Sequence, residues 1–370
     1  MPTEMRFNRE DLLPALTATS GLAGRKNILP ITSNILFSAA HGVVRMTGSD
    51  METEISVETT IPVDAGYAPA TLPAKKLLDI LRNLPEGADV VLRLGDDWKA
   101  TLRSGGSRFT LATLAAEVFP LMSLEETRPM GSCDAAAFRD ALLMVAHSAP
   151  SGDARPFLNG VYFELTGDVM RLVATDGHRL SAAELAFTPE GYSTECLGIL
   201  PKKSVDEITR ILSGATGSAR ISWTDRVFVL ESGKLRFATR LVDARYPEYQ
   251  RVIPAGLPYR LSFAREELIV GLRQAEVLAD GKEHIVRLEL SDSDVTLRVT
   301  GEANDMAEIV VPCEYNGPGM VVAMNIRYLL DAVAAMGDER VHIGIKDFGS
   351  GALIAGLGNF PLAVVMPVRA

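Results

Sequence analysis

Two periods of hydrophobicity alternate along the chain, and the alternation itself repeats. Apolar residues spaced three or four apart mark short helices at Asp11–Leu16, Ala137–Leu142 and Glu267–Leu272, in which Leu16, Leu142 and Leu272 stand 126 and 130 residues apart. After each helix comes a run of branched and aromatic residues, Asn34–Phe37, Gly160–Glu164 and Ile285–Leu290. Past a polar turn a second run follows, at Val43–Thr47, Met170–Thr175 and Val295–Thr300. Such paired runs predict antiparallel hairpins, and alternation continues through Ile55–Val57 as for a strand with one buried face. Each copy then carries a second helical segment, at Lys75–Arg82, Lys202–Arg210 and Asn325–Val333, with Asp79, Glu207 and Asp331 at separations of 128 and 124 residues. Separate landmarks holding nearly one period make coincidence a poor explanation.

A chain of 370 residues exceeds what one core usually organises, and the period divides it into three α+β domains at 1–127, 131–252 and 258–370. The joins are predicted as loops at Glu125–Gly131 and Ile253–Pro258, where Pro and Gly collect. With 47% apolar and 23% charged residues the composition is that of an ordinary globular protein. No apolar run reaches membrane-spanning length and the N-terminus lacks a secretion pattern, so the expected location is cytoplasmic. Cys133, Cys196 and Cys313 are far apart and have no metal-ligand spacing, which predicts inert reduced thiols, with neither a metal nor a cofactor.

A net charge of −10 argues against a nucleic-acid partner, but it conceals how the cations are distributed. Lys75, Lys76 and Arg82 fall on the second helix of the first repeat, and Lys202, Lys203 and Arg210 on that of the second. Arg139, Arg265 and Arg273 fall on first helices. For any one helix this is a solvated face. Recurrence at equivalent places suggests instead a shared basic surface that touches phosphates without reading bases.

Four segments carry a specific resemblance: Arg155–Val161, Leu172–Leu180, Leu241–Pro247 and the ending Val365–Arg369. With them the chain, from Met5 to Arg369, resembles the bacterial β clamp family, the β subunits of DNA polymerase III. The resemblance implies three clamp domains per chain and a head-to-tail homodimer, a closed six-domain ring with helices inside and antiparallel sheets outside. It implies a non-enzymatic sliding clamp that encircles duplex DNA and gives polymerases processivity. The implied partners are the replicative polymerase catalytic subunit, an ATP-driven clamp loader, and other polymerases and mismatch-repair or ligase proteins carrying clamp-binding peptides.

Several site residues follow from the same resemblance. Phe109 matches the interface aromatic and Val277 and Leu278 its apolar partners, though without the resemblance Phe109 reads as a core residue of its own domain. Opposite charge suggests that Arg103 and Arg108 face Glu302, Asp305 and Glu308 across that contact. An apolar partner-peptide cleft would be lined by Leu158, Thr175, Gly177, His178, Arg179, Leu180, Pro247, Val252, Val364, Val365, Met366, Pro367, Val368 and Arg369, and suits peptides with Leu or Phe anchors. His178 reads otherwise as a surface turn residue. For DNA contact the loop positions are Arg25 or Lys26 and Arg155, alongside the helix cations Lys76, Arg82, Arg139, Lys202, Lys203 and Arg210. Ala370 departs from the larger final residue of enterobacterial relatives. The extension Met1–Glu4 is expected to be disordered.

Two rival classes remain. Asp176 and His178 could serve as acid and base, but no nucleophile, phosphate loop or metal set accompanies them. A specialised or antibiotic-resistant clamp paralogue is compatible with the same motifs.

Overall fold

The computed structural model describes residues 3–23, 29–61, 67–95, 98–190, 196–280, 284–302 and 305–368. One order of elements is laid down three times. The first repeat runs β1 (Thr3–Asn8), α1 (Arg9–Thr19), β2 (Asn34–Ala40), β3 (Val43–Ser49), β4 (Thr53–Thr60), β5 (Tyr67–Pro73), α2 (Ala74–Asn83), β6 (Asp89–Leu94), β7 (Lys99–Ser104) and β8 (Ser107–Ala112). The second runs β9 (Arg128–Asp134), α3 (Ala135–Ala146), β10 (Gly160–Thr166), β11 (Val169–Thr175), β12 (Arg179–Ala186), the short β13 (Thr188–Pro189), β14 (Cys196–Pro201), α4 (Lys202–Ile211), β15 (Ser218–Trp223), β16 (Val227–Ser232) and β17 (Leu235–Arg240). The third runs β18 (Tyr259–Ala264), α5 (Arg265–Glu276), β19 (Ile285–Leu290), β20 (Asp294–Thr300), β21 (Met306–Pro312), the short β22 (Glu314–Tyr315), β23 (Met320–Asn325), α6 (Ile326–Ala335), β24 (Arg340–Ile345), β25 (Ala352–Ala355) and β26 (Leu362–Val365).

The hairpins predicted from hydrophobic alternation are the pairs β2–β3, β10–β11 and β19–β20. Helix ends follow local chemistry. Asn8 and Asp11 form a reciprocal cap at the start of α1, and the Asn325 side chain accepts the Arg327 and Tyr328 N–H groups at the start of α6. Helix α2 buries Leu77, Leu78 and Leu81 and leaves Lys75, Lys76 and Arg82 exposed, as one apolar stripe dictates.

Two segments differ from expectation. Arg128–Gly131, predicted as part of a loop, opens β9; its pairing with β15 shifts between Gly131, opposite Ile221, and Pro129, opposite Ser222, so the residue lacking an N–H sits at a bulge. Thr3 and Glu4, expected to be disordered, pair with Leu94 and Arg93 of β6, because the alternation that buries Met5 and Phe7 begins there.

Contacts divide the chain into two compact units: Met1–Ala136 with Thr188–Tyr192 and Arg210–Leu241, and Ala137–Phe187 with Ser193–Thr209 and Val242–Ala370. The first unit holds the sheets β1-β6-β7-β8 and β13-β9-β15-β16-β17-β4-β3-β2-β5. The second holds β14-β10-β11-β12-β26-β25-β24-β18-β22 and β21-β20-β19-β23. Each nine-stranded sheet therefore runs across a repeat boundary. In the first, β17 pairs with β4, Phe237 opposite Ile55; in the second, β26 pairs with β12, Val364 opposite Leu180.

Around the first repeat's core gather Phe7, Leu16, Phe37, Leu77 and Leu102, and around the third's gather Phe263, Leu272, Leu288, Leu329 and Ile343. Gly271 lets α5 lie close on its sheet, since a Cβ there would stand 2.5 Å from Val311 Cγ2. Cys133 and Cys313 are buried and free, their thiols pushed up by burial to about 12 and about 11, which keeps them protonated and unreactive. The Cys196 side chain lies outside the described residues. No helix among those described is long and apolar enough to cross a membrane.

Candidate functional site

The turn between β11 and β12 is held by side chains that bond back to their own backbone. Asp176 Oδ1 accepts the N–H groups of His178 and Arg179, both at 2.9 Å, and Thr175 Oγ1 donates to the Arg179 carbonyl at 2.6 Å. Gly177 has φ 90°, a region open to glycine at little cost, and its bare Cα lies under the Arg155 guanidinium, 3.1 Å from where a Cβ would be. Arg155 in turn bonds Asp153 at 3.0 Å and the Asp176 carbonyl at 3.0 Å. His178 is an exposed turn residue whose carbonyl accepts the Met366 N–H at 2.9 Å. Asp176 is thus occupied by backbone N–H groups and Arg179, an arrangement that fixes a turn and leaves no carboxylate poised as a base.

Arg179 ties this turn to the third repeat. Its guanidinium bonds Asp176 at 3.0 Å, Asp331 on α6 at 2.7 Å and the His147 carbonyl, and lies 4.3 Å from the centre of the Tyr328 ring. A planar cation stacked on one side and bonded in its plane is held in a single orientation. Tyr328 and Asp331 were not singled out as site residues by sequence, since nothing local links them to a turn some 152 residues away.

The chain's end runs along this feature. Past β26, Met366 is clipped to His178 and the Val368 N–H donates to the Ala323 carbonyl at 2.8 Å. Of the predicted cleft residues, Gly177, His178, Pro247, Val252 and Met366 are exposed, and Arg179, Pro367 and Val368 half-buried. Leu158, Thr175, Leu180 and Val364 are buried and can only form a floor. Val365 points to the opposite face of its strand from Val364: Val364 packs with Leu180, Tyr246 and Tyr249, and Val365 packs into the core beneath α6. Val365 therefore supports the wall from behind. Arg369 and Ala370 lie outside the described residues.

The segment carrying Pro247 and Val252 is pinned by two tyrosines. Tyr246 is buried and stacks on Tyr162 at 4.5 Å, and the Tyr249 hydroxyl donates to Glu164 at 2.7 Å. Burial raises the Tyr249 hydroxyl to about 12, so it stays a donor across the physiological range. A cavity of about 290 Å³ opens between this segment and Tyr162, Gly198 and Ile199.

His147 lies behind the Arg179 network, its Nε2 3.0 Å from Ser181 Oγ. Burial, then the Arg179 charge, lowers it to about 4. With the folded value below the unfolded one near 6.5, the unfolded chain binds more protons between those limits. Stability should therefore be complete above pH 6.5 and decline as pH falls toward 4. Urea midpoints measured across this window should fall less steeply for His147→Gln than for the parent; equal slopes would remove His147 as the cause.

Among the edge strands of the described sheets are β8, which ends the sheet β1-β6-β7-β8, and β21, which ends the sheet β21-β20-β19-β23. On β8, Arg108 is exposed and Phe109 half-buried, packed against its own repeat's core, so the Phe109 ring serves both readings made of it. Arg103 is exposed on β7. Beside β21 a groove of about 460 Å³ is walled by Val270, Gly271, Ile309, Val310 and Pro312. Val277, 76% exposed, closes α5, followed by half-buried Leu278. Glu302 is exposed, its N–H bonded to Asp280 at 2.9 Å.

The predicted DNA-contacting cations fare unequally. Lys76 and Arg82 are exposed on α2 with no carboxylate partner among the described residues. Arg139 bonds Asp140 at 2.8 Å and the Thr209 carbonyl at 3.3 Å, Lys202 pairs with Asp206, and Lys203 is half-buried. Arg210 donates to the Thr17 and Ala18 carbonyls, capping the C-terminal end of α1. Arg210 and Arg139 thus have local structural work that a count of charges does not disclose. Arg25 and Lys26 lie outside the described residues.

Comparison with known proteins gives one answer over the whole length. Residues 3–123, 133–248 and 250–369 match the N-terminal, central and C-terminal domains of the DNA polymerase III beta subunit family. The chain is 33% identical over 368 residues to the beta sliding clamp of Salmonella typhimurium, covering 99% of this chain and all of that protein. It is 32% identical over 369 residues to that of Escherichia coli K12, with 99% and 100% covered. The fold is similar to the Pseudomonas aeruginosa clamp bound to griselimycin, with TM-score 0.94 at 30% identity and full coverage of both chains. It is equally similar to the Bartonella birtlesii clamp bound to griselimycin, with TM-score 0.94, 28% identity and full coverage of both. With three clamp domains in order and relatives matched end to end, the chain belongs to the family of DNA polymerase III beta subunits, the beta sliding clamps.

Proposed function

We propose that this chain is a non-catalytic sliding clamp that closes, as a head-to-tail homodimer of six domains, into a ring around duplex DNA, with helices inside and sheets outside, and tethers polymerases there. The observation that carries the reading is one joint made twice. The last strand of the second repeat, β17, pairs with β4 of the first, and the last strand of the third, β26, pairs with β12, the counterpart of β4 in the second. The same rule leaves the last strand of the first repeat, β8, and the counterpart of β4 in the third, β21, each without a neighbour on that side among the described residues. A second copy supplies what each lacks. Carrying the β17–β4 register across puts Arg108 opposite Glu308 and Phe109 opposite Ala307, polar and apolar pairs that suit each other. Head-to-tail contacts make a ring or a filament according to the rotation at each joint, and a ring is the form that can hold DNA without reading its sequence.

Exposed Lys76 and Arg82 supply weak phosphate contact inside the ring, and Arg155, with Arg25 or Lys26, extends it. The cleft between the Thr175–Arg179 turn, Val252 and the Met366 tail receives the clamp-binding peptides of the replicative polymerase and of other polymerases, mismatch-repair and ligase proteins. An ATP-driven loader opens the ring. Nothing favours a specialised paralogue over this reading, since the relatives matched end to end are beta sliding clamps.

Retention on nicked circular DNA, after incubation with a cognate loader and ATP, tests the proposal. The protein should stay with the circle and leave once a restriction enzyme linearises it. Failure to load, or retention on the linear product, would rule out topological holding.

A further inference from the structure

In a chain with a net charge of −10, the face of the β1–β6–β7–β8 sheet turned away from its core is densely cationic. Two rows of side chains cross the four strands. One reads Arg6, Val91, Arg103, Arg108, and the other Glu4, Arg93, Thr101, Thr110. With Lys99 they line an open groove of about 900 Å³. Arg103 and Arg108 stand directly opposite one another, a placement in which like charges destabilise a strand pair. Glu4 pairs with Arg6 at 3.0 Å, but Arg93 and Arg103 have no carboxylate partner among the described residues. Giving Arg108 to the joint with a second copy leaves Arg93 two strands away from that joint, on β6.

The connection that leads into Lys99 carries an exposed aromatic. Trp98 is next to Lys99 in the β6–β7 connection, 61% exposed, with φ 57° and its carbonyl accepting the Thr113 N–H at 2.9 Å. A left-handed conformation is unusual for so bulky a residue. An acidic peptide would use the arginines but not the indole, and a duplex keeps its bases stacked on one another. An exposed indole in the connection between two groove-lining strands, next in sequence to Lys99, matches unpaired bases on a phosphate backbone. We propose that this sheet face binds single-stranded nucleic acid, its phosphates along Arg93, Arg103 and Lys99 and a base stacked on Trp98.

The full-length protein titrated with a fluorescein-labelled oligothymidylate at low salt provides the test, read by anisotropy and by tryptophan emission. Arg93→Glu/Lys99→Glu, both away from β8, should weaken binding about tenfold or more, and the parent's log affinity should fall with log salt at a slope of roughly −2 to −3. Binding should quench tryptophan emission in the parent and not in Trp98→Ala, since the chain's other tryptophan, Trp223, is buried at 7% exposure. Light scattering should give the variants the parent's oligomeric state. No binding by the parent, or equal binding by the double variant, would overturn the proposal. So would competition by polyglutamate or duplex as effective as by unlabelled oligothymidylate, the first by making the face an acidic-peptide site.

Discussion

Replacing Arg179 with methionine should cost the protein about 3–5 kcal/mol of stability, a loss out of scale for one side chain next to a surface turn. The arginine side chain is only 14% exposed and so is that of Asp176, which it neutralises. Removing the cation strands that carboxylate with two backbone N–H groups as its remaining partners, and also frees Asp331, the His147 carbonyl and the face of Tyr328. Methionine fills most of the volume, so the cost isolates charge and hydrogen bonding from packing. The same substitution should weaken binding of a fluorescent clamp-binding peptide, because the turn that borders the proposed cleft is tied to α6 by this one group. An unfolding free energy from urea titration within about 0.5 kcal/mol of the parent's would show that the network is ornamental to stability.

A second large effect is expected from Val277→Arg, this time on assembly and not on folding. Val277 is 76% exposed just past the last turn of α5, and a cation at a helix C-terminus is favourable, so the unfolding temperature should not fall. In the proposed joint the new charge would meet the Phe109 and Arg108 side of a second copy, where an unpaired buried cation costs several kcal/mol. Self-association should weaken by about a hundredfold or more, seen by sedimentation, and retention on circular DNA should be lost with it. An undisturbed dimer would place Val277 outside the joint and call for a different pairing of β8 and β21.

The sequence carried the repeat and its elements well, because the buried stripes of α1, α3 and α5 and the alternation of the hairpins are local patterns. The structure adds to it in two ways. Pro129 was read as a breaker, although a bulge accommodates it in β9. Charge at equivalent positions was read as availability, although Arg210 caps a helix and Lys202 pairs along its own. In the proposed cleft, the turn from Thr175 to Leu180 was legible because its Asp and Gly have fixed backbone roles. The roles of Tyr328 and Asp331 were not, because what ties them to that turn is a contact across repeats. Val365 was named for its neighbours in sequence, and the two-residue period of a strand sends it the other way from Val364.

The pairing of strands across repeat boundaries changes what the covalent chain is for. With β17 bonded to β4 and β26 to β12, each joint is fastened by its own ladder of hydrogen bonds, and the peptide running from one repeat to the next carries little of the load. A protease cut at Pro254–Pro258 would then leave two fragments that migrate together until denaturant separates them. In the proposed ring the linkers act as a counting device: they set how many domains arrive per copy, and so leave the number of places at which the ring would be prised apart smaller than the number of its seams.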